Sequence, residues 1–254
     1  MSSNLVRLLF EKRYYMFELA AGQLASVIEN KRYGVEYQPL ICIDSGDIVA
    51  YEGLARFYLS DGTTLPPNIV FNSLRNNLKH LRQVEHELKS IQIDFAPAGY
   101  DLFINLDRHA FAHIIDMDND PLIKLLQSHR NLVVELIENM DIHDARASVA
   151  LQEVLRARNI PTALDDIGAS HSLISLEVLP LVNYLKFDLI WLTRLHRQEY
   201  QSLFAVLLEY AVQNNKPSIL EGVESAEMAE LARRYPVDYV QGFLYRDLFK
   251  AHRF

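Results

Sequence analysis

The chain has 254 residues, of which 50% are hydrophobic and 23% are charged. This length and this apolar fraction are sufficient for one main domain with a large buried core. The formal net charge of −8 and the pI near 5.6 argue against binding to a nucleic-acid polymer or to an anionic membrane. Cys42 is the only cysteine, which excludes an internal disulfide and is in keeping with a reducing cytoplasm.

The N-terminal part of the chain, residues 4–31, carries apolar side chains at helical spacing. This pattern predicts a leading helix that Gly34 ends, and we place an N-terminal helical extension at 1–23 before the main domain at 24–254. The helix would cover one end of the domain or meet a partner. Charged residues at 11–13 break the apolar run, unlike in a signal peptide, and no stretch approaches the length of a membrane span. We therefore expect a cytoplasmic protein without membrane contact.

The rest of the chain predicts strands that alternate with helices. Strands at about 35–43 and 48–56 are joined by four residues, a connection that permits only an antiparallel hairpin. A helical pattern begins near Pro67 and continues, with a break, to about residue 91. Further strands are separated by helical stretches such as 142–158, and this alternation makes right-handed parallel units. These strands lie at about 101–105, 131–137, 161–165, 182–187, 216–221 and 237–241.

The strand count predicts the fold class. Two hairpin strands and six parallel strands make eight, the number that closes a (β/α)8 barrel. We therefore predict an α/β protein, a TIM-like (β/α)8 barrel with an antiparallel first strand and an N-terminal helix. In such barrels the chemistry takes place at the carboxyl ends of the strands.

Polar residues occur where the predicted strands end, and most of them are acids or amides. They are Glu52, Asn105, Glu135, Asp165, Asp166, Lys186, Glu221 and Gln241. Taken singly, each could equally be a helix cap, a turn residue or a solvated charge. Their joint placement favours a site, and oxygen ligands without histidine or cysteine suit Mg²⁺ or Mn²⁺ better than zinc. Carboxylates crowded into one barrel mouth would repel one another unless cations lay between them.

The adjacent carboxylates Asp165 and Asp166 point to a particular chemistry. One of them could bridge two metal ions while its neighbour holds the second, and paired ions of this kind activate water in phosphoryl transfer. Lys186 could hold the nucleophilic water or offset developing negative charge. Arg56 is placed to meet a phosphate.

Short motifs along the chain, in this order, resemble those of the EAL-domain cyclic-di-GMP phosphodiesterases of bacteria. The likeness covers roughly residues 24–247. The sequence YQP at 37–39 resembles the opening motif of the family, and EGL at 52–54 stands where the Glu-Ala-Leu that names it falls. The other matching segments are 103–106, 135–138, 165–168, 185–188, 221–224 and 241–244.

The resemblance implies a metal-dependent hydrolase that opens cyclic di-GMP to linear pGpG with two divalent cations, Mg²⁺ or Mn²⁺. By motif position, the ligands of one ion would be Glu52, Asn105, Glu135 and Asp165. The ligands of the second ion would be Asp165, Asp166 and Glu221. Lys186 would contact the water. The family proposes Glu221 as general base, but a residue bound to metal makes a poor base, so we expect only that Glu221 is essential.

The resemblance also implies contacts to the substrate. The matching positions are Gln38, Leu54, Arg56 and Gln241. Glu138 would support the loop after the fifth strand. Because family members often dimerise, a homodimer is a further expectation.

Two departures from the family pattern raise a second hypothesis. Ser170 stands where the family has the second glycine of the loop after the aspartates, and a glycine there would adopt a positive φ freely. The segment after Gln241 lacks the usual proline. In the family, the loop after the aspartates couples metal binding to dimerisation. The alternative to an active enzyme is therefore a weak or inactive relative that acts as a cyclic-di-GMP receptor or as a protein-interaction regulator. The retained ligands favour the enzyme.

Overall fold

The structure is a computed structural model that describes residues 21–111, 116–137, 142–170 and 174–254. The strands of this part of the chain are β1 (Tyr33–Cys42), β2 (Ile48–Tyr58), β3 (Thr64–Leu65), β4 (Asp101–Asn105), β5 (Leu132–Ile137), β6 (Thr162–Ile167), β7 (Tyr184–Phe187), β8 (Ser218–Leu220), β9 (Tyr239–Val240) and β10 (Lys250–Arg253). The helices are α1 (Ala21–Glu29), α2 (Pro67–Leu74), α3 (Leu78–Asp94), α4 (Pro121–Ser128), α5 (Ile142–Ala157), α6 (Ile190–Arg194), α7 (Gln198–Gln213) and α8 (Ala226–Ala232). Short 3₁₀ helices lie at Arg108–Phe111 and Phe243–Leu248.

The strands close a barrel in the order β1-β2-β4-β5-β6-β7-β8-β9 and back to β1. Strand β1 is antiparallel to both of its barrel neighbours, β2 and β9, and the other barrel pairs are parallel. The predicted barrel with an antiparallel first strand is therefore confirmed. Strands β3 and β10 extend the sheet outside the ring by pairing with β2 and β1. These two were not predicted.

The prediction that Gly34 ends the leading helix is wrong. Helix α1 ends at Glu29, and the chain turns at Lys31, whose φ is 48°. Gly34 lies inside β1, where an added Cβ would stand 2.6 Å from the carbonyl oxygen of His252 on β10. The glycine therefore permits the close approach of a neighbouring strand. Residues 1–20 lie outside the described part, so the boundary of the extension at 1–23 stays a prediction.

The predicted break after Pro67 is present between α2 and α3. Pro67 stands in the first turn of α2, where its missing N–H costs no hydrogen bond. Asn77 caps α3 by accepting a hydrogen bond from the His80 N–H at 3.2 Å. Leu81, Val84 and Leu88 are fully buried on one face of this helix, which packs the helix against the barrel.

The lower part of the barrel interior is filled by buried apolar side chains that we call the apolar layer. Its members are Leu40, Ala50, Phe103, Val133, Ala163 and Ile219. One residue comes from each of six strands, as in the packed layers that fill the interior of TIM barrels. Phe103 also makes an edge-to-face contact with Tyr184, at 5.1 Å between ring centres. This layer is the floor on which the residues at the carboxyl ends of the strands stand.

Candidate functional site

Polar side chains occupy the barrel interior directly above the apolar layer, and we call them the polar layer. Its members are Gln38, Glu52, Asn105, Glu135, Asp165, Lys186, Glu221 and Gln241. Glu52 follows Ala50 by two residues, and Glu135 follows Val133 in the same way. Because strand side chains alternate between two faces, a residue two positions further along points to the same side. The alternation thus carries each strand from an apolar to a polar interior side chain.

Lys186 lies at the centre of the polar layer and is completely buried. Its Nζ is 2.6 Å from Glu135 Oε1, 2.8 Å from Asp165 Oδ1 and 2.8 Å from Glu221 Oε1. Glu52 Oε2 is further away, at 3.7 Å. One ammonium thus neutralises part of the charge of four carboxylates. The contact of Lys186 with a water stays a prediction.

Two side-chain amides, those of Asn105 and Gln241, donate hydrogen bonds to the carboxylates of Glu52 and Glu135. Asn105 donates hydrogen bonds to Glu52 Oε1 at 2.9 Å and to Glu135 Oε2 at 2.8 Å. Gln241 donates to Glu52 Oε2 at 2.6 Å and is itself buried. Gln241 is therefore engaged with a site carboxylate. Glu52 lies in the middle of β2 because the pairing with β1 continues past it to Phe57.

Asp165 and Glu221 of the polar layer form, together with Asp166, a group of carboxylates suited to a metal ion. One oxygen from each of the three lies within 4.8 Å of the others. Neighbouring residues in a regular strand would point to opposite faces, but the pairing of β6 with β7 contains a bulge after Leu164. Asp166 also adopts a φ of 58°, in the left-handed region. The bulge and this φ turn Asp166 to the same side as Asp165.

Burial and mutual repulsion shift the ionisation of the polar layer. Burial together with the Glu52 carboxylate raises the pKa of Glu135 well above its ordinary value, against the effect of Lys186. Burial, opposed by Lys186 and aided by Asp165, raises the pKa of Glu221 in the same way. Although burial acts to raise it, Lys186 and several hydrogen bonds hold the pKa of Glu52 below its ordinary value. The surrounding carboxylates outweigh burial and raise the pKa of Lys186 well above its ordinary value, so the ammonium stays charged.

The loop after the aspartates is held by Trp191. The indole Nε1–H donates a hydrogen bond to the carbonyl of Ile167 at 2.8 Å, and Trp191 is buried. Gly168 has a φ of 93°, and a Cβ there would collide with the indole ring. Ser170 is not among the described residues with a positive φ, so this position carries no left-handed strain. The rest of the altered loop, 171–173, lies outside the described residues.

Of the four residues that the resemblance assigned to the substrate, Gln38 and Gln241 belong to the polar layer, and the other two lie beside it. Leu54 and Arg56 line a pocket of about 230 Å³ together with Asn105. Gln38 lies on β1 opposite Glu52. Glu138, which was to support a loop, lies outside the described residues.

The sequence reading missed Glu36, a carboxylate on β1. Its Oε1 accepts hydrogen bonds from Arg56 at 2.5 Å and from Gln38 at 3.0 Å. Glu36 stands two residues before Gln38, so the alternation rule was the signal that could have found it.

The fold and the site define a TIM-like barrel with a buried, oxygen-rich acidic centre at the carboxyl ends of its strands. Oxygen donors of this kind fit a hard divalent cation such as Mg²⁺ or Mn²⁺. The family model described as EAL domain matches residues 21–247. The chain belongs to the EAL domain family, whose members are generally metal-dependent cyclic-di-GMP phosphodiesterases.

Named relatives agree with this assignment. The chain is 24% identical over 232 residues to the bifunctional diguanylate cyclase/cyclic di-GMP phosphodiesterase MucR of Pseudomonas aeruginosa, covering 87% of this chain and 34% of MucR. It is 25% identical over 255 residues to the probable cyclic di-GMP phosphodiesterase PdeN of Escherichia coli, covering 96% of this chain and 48% of PdeN. The chain thus spans half or less of the length of these relatives.

A solved structure shares the fold. The manganese/cy-diGMP complex of Klebsiella pneumoniae BlrP1 superposes with a TM-score of 0.66 at 19% identity, covering 88% of this chain and 62% of that chain. Within the described ranges, no helix is long and apolar enough to cross a membrane. The expected homodimer stays a prediction.

Proposed function

We propose that this protein hydrolyses cyclic di-GMP to linear pGpG in a reaction that depends on divalent cations. The observation that carries the proposal is the group formed by Asp165, Asp166 and Glu221, whose oxygens lie within 4.8 Å of one another. A strand bulge and a left-handed residue are needed to bring Asp166 there, and such bulges occur preferentially next to active sites.

The donor set supports a metal ion at this position. Asp165, Asp166 and Glu221 would hold one ion, and Glu52, Asn105 and Glu135 would contribute with Asp165 to a second. When bound, Mg²⁺ or Mn²⁺ would activate a water and stabilise the charge on the phosphate oxygens. Three residues of the second set are already held together in the structure, because Asn105 donates hydrogen bonds to both Glu52 and Glu135.

Lys186 would act as the fixed positive charge of the site. Its ammonium lies within 2.8 Å of three carboxylates at complete burial, so its position is set by the protein before any ligand arrives. A charge fixed in this way can stabilise negative charge that develops on the phosphate or its attacking oxygen without a cost of reorganisation. We propose an essential role for Glu221 without assigning it the role of base, because a metal-bound carboxylate is a poor proton acceptor.

The pocket beside the polar layer would take one base of the dinucleotide. Leu54, Phe71 and Leu106 supply apolar surface for a ring, and the pocket is lined by polar groups as well. Among these, Glu85 and Lys89 form a buried ion pair at 3.1 Å. Apolar walls with a few placed polar groups are typical of ligand pockets.

The test is an assay of product. The purified protein is incubated with cyclic di-GMP in the presence of Mg²⁺, of Mn²⁺ or of a chelator, and the products are separated by chromatography. Appearance of pGpG only with a metal ion is the expected result. Binding of cyclic di-GMP without any turnover would favour the receptor hypothesis, and intact substrate without binding would reject both.

A further inference from the structure

Glu36 shares one face of the β1–β2 hairpin with residues of the candidate site. In the register of this hairpin, Glu36 stands opposite Leu54 and Gln38 stands opposite Glu52. Side chains that are directly opposite, or two residues apart on one strand, lie on the same face. Glu36 therefore points to the side of the sheet that carries Glu52 and Leu54, next to the pocket.

The Glu36 carboxylate binds two side chains, those of Arg56 and Gln38, that the resemblance assigns to the substrate. Its Oε1 is 2.5 Å from Arg56 Nη2 and 3.0 Å from Gln38 Nε2. A guanidinium and an amide N–H that converge on one oxygen would serve a phosphate oxygen equally well. The Glu36 and Arg56 side chains are 27% and 26% exposed, so the pair lies at the accessible edge of the site.

Arg56 does not depend on Glu36 alone for its position. Its Nη1 donates a second hydrogen bond to the carbonyl of Ala55 at 2.9 Å. With the carboxylate removed, the guanidinium keeps this backbone contact and gains an unpaired N–H edge. The pair with Glu36 therefore contributes charge neutralisation more than placement.

We propose that Glu36 is an internal competitor of the nucleotide phosphate, which holds Arg56 and Gln38 in the free protein and so lowers the affinity for cyclic di-GMP. This inference rests on the proposed function, and it takes Arg56 and Gln38 as substrate contacts, as the resemblance implies. A phosphate entering the site would take over the hydrogen bonds of both residues and release the carboxylate to solvent. Affinity, and not the chemical step, is what Glu36 determines.

The experiment compares Glu36→Gln with the wild type. The variant keeps the size of the side chain and loses its charge, so we expect KM for cyclic di-GMP to fall roughly five-fold, as for loss of one partly exposed ion pair. The value of kcat stays within about two-fold, because the residue does not touch the reacting atoms. This fall in KM should be smaller at high salt, since screening weakens both the Glu36–Arg56 ion pair and the attraction of Arg56 for the phosphate. The control is Glu199→Gln, which removes a comparable exposed ion pair with Arg197 and should leave KM unchanged.

A second background separates competition from a structural effect. In Arg56→Ala, the further change Glu36→Gln should no longer lower KM, because the residue for which the two anions compete is gone. An unchanged or raised KM in Glu36→Gln alone would overturn the inference, and a raised value would mean that Glu36 positions Arg56.

Equilibrium binding of cyclic di-GMP to both proteins distinguishes this inference from the proposed function. If Glu36→Gln binds cyclic di-GMP more tightly and neither protein shows turnover, the role of Glu36 as a competitor is supported and the proposed hydrolysis is rejected. Turnover with equal affinities would reject the competitor and keep the enzyme. Absence of both binding and turnover in both proteins would overturn both.

Discussion

The polar and apolar layers occupy one barrel and stand two residues apart on the same strands, yet their energetics differ. Ile219 on β8 is fully buried among other apolar side chains, whereas Glu221, two residues on, contacts an ammonium and lies near two aspartates. The lower layer gains stability from burial in the ordinary way. The upper layer gathers carboxylates whose desolvation and repulsion raise the pKa of Glu135 and of Glu221. The same strands thus carry one layer that stabilises the fold and one layer of carboxylates that repel one another. In the proposed function, a bound cation would relieve that repulsion.

Because the two layers differ in this way, substitutions should separate stability from activity. Loss of a carboxylate from the group formed by Asp165, Asp166 and Glu221 should abolish activity while the fold survives, whereas loss of the Lys186 ammonium should also lower the free energy of unfolding. Changes in the apolar layer should lower the free energy of unfolding and leave turnover by the folded molecules unaltered.

The largest effect is expected from Asp166→Asn. This change removes one carboxylate of the group that would hold the metal, so turnover of cyclic di-GMP should fall on the order of 10²–10³-fold. The free energy of unfolding should stay close to that of the wild type, because Asn also tolerates a positive φ. The control Asp44→Asn removes an exposed carboxylate in the β1–β2 loop, at the opposite end of the barrel, and should leave turnover unaltered. Equal losses in both variants would contradict the account.

Lys186→Met tests the charge balance of the polar layer. Removing the buried ammonium leaves the carboxylates of Glu135, Asp165 and Glu221 without their shared cation, so the metal-free protein should lose about 3–5 kcal/mol of unfolding free energy. The measurement is denaturant unfolding with chelator and with Mn²⁺. Added Mn²⁺ should recover part of the loss, because a cation then separates the carboxylates. Lys124→Met on the exposed face of α4 is the matched control, and a similar loss there would reject the interpretation.

The apolar layer is tested with Ile219→Val. Loss of one buried methylene should lower the free energy of unfolding by about 0.5–1.5 kcal/mol. Turnover per folded molecule should not change, since Ile219 belongs to the apolar layer and not to the polar layer. A fall in turnover at unchanged stability would remove the distinction between the layers.

The smallest effect concerns pH. A carboxyl group whose pKa is raised in the folded state binds more protons when folded, so its contribution to stability is present at low pH and lost as pH rises through the raised value. Glu135 is such a group. The metal-free Glu135→Gln variant should therefore gain stability relative to the wild type as pH rises above the ordinary glutamate pKa of 4.5. Parallel stability curves for the two proteins would show that Glu135 is not shifted.

Much of the fold could be predicted from local patterns. The short connection between β1 and β2 dictated an antiparallel pair, and alternating strand and helix patterns dictated parallel units. Strand β10 escaped prediction because its residues, Lys250–Arg253, are all exposed and carry no burial pattern. The only indication of β10 lies on its partner strand β1, where Gly34 has no Cβ and so leaves room for β10 to pair.

The site was predictable in membership and less so in geometry. The polar residues at strand ends follow from period-two alternation, which a sequence displays. The bulge that turns Asp166 depends on pairing between β6 and β7, and the ion pairs of Lys186 depend on four strands meeting across the lumen. Such contacts join residues far apart in the chain, so no local pattern encodes them. Glu36 is different, because its spacing of two residues from Gln38 is a local pattern that predicts a shared face. Only its ion pair with Arg56, on the neighbouring strand, depends on the fold.

The most direct test of the central claim is the affinity for Mn²⁺, measured by electron paramagnetic resonance on the wild type and on a matched pair from β8. We predict that Ile219→Val binds Mn²⁺ as the wild type does, and that Glu221→Gln binds it at least about 10-fold more weakly, since loss of a group that only supports a metal ligand already costs about 10–100-fold. Wild-type affinity in Glu221→Gln would contradict the account, because the metal would then lie away from the carboxylates that the barrel brings together.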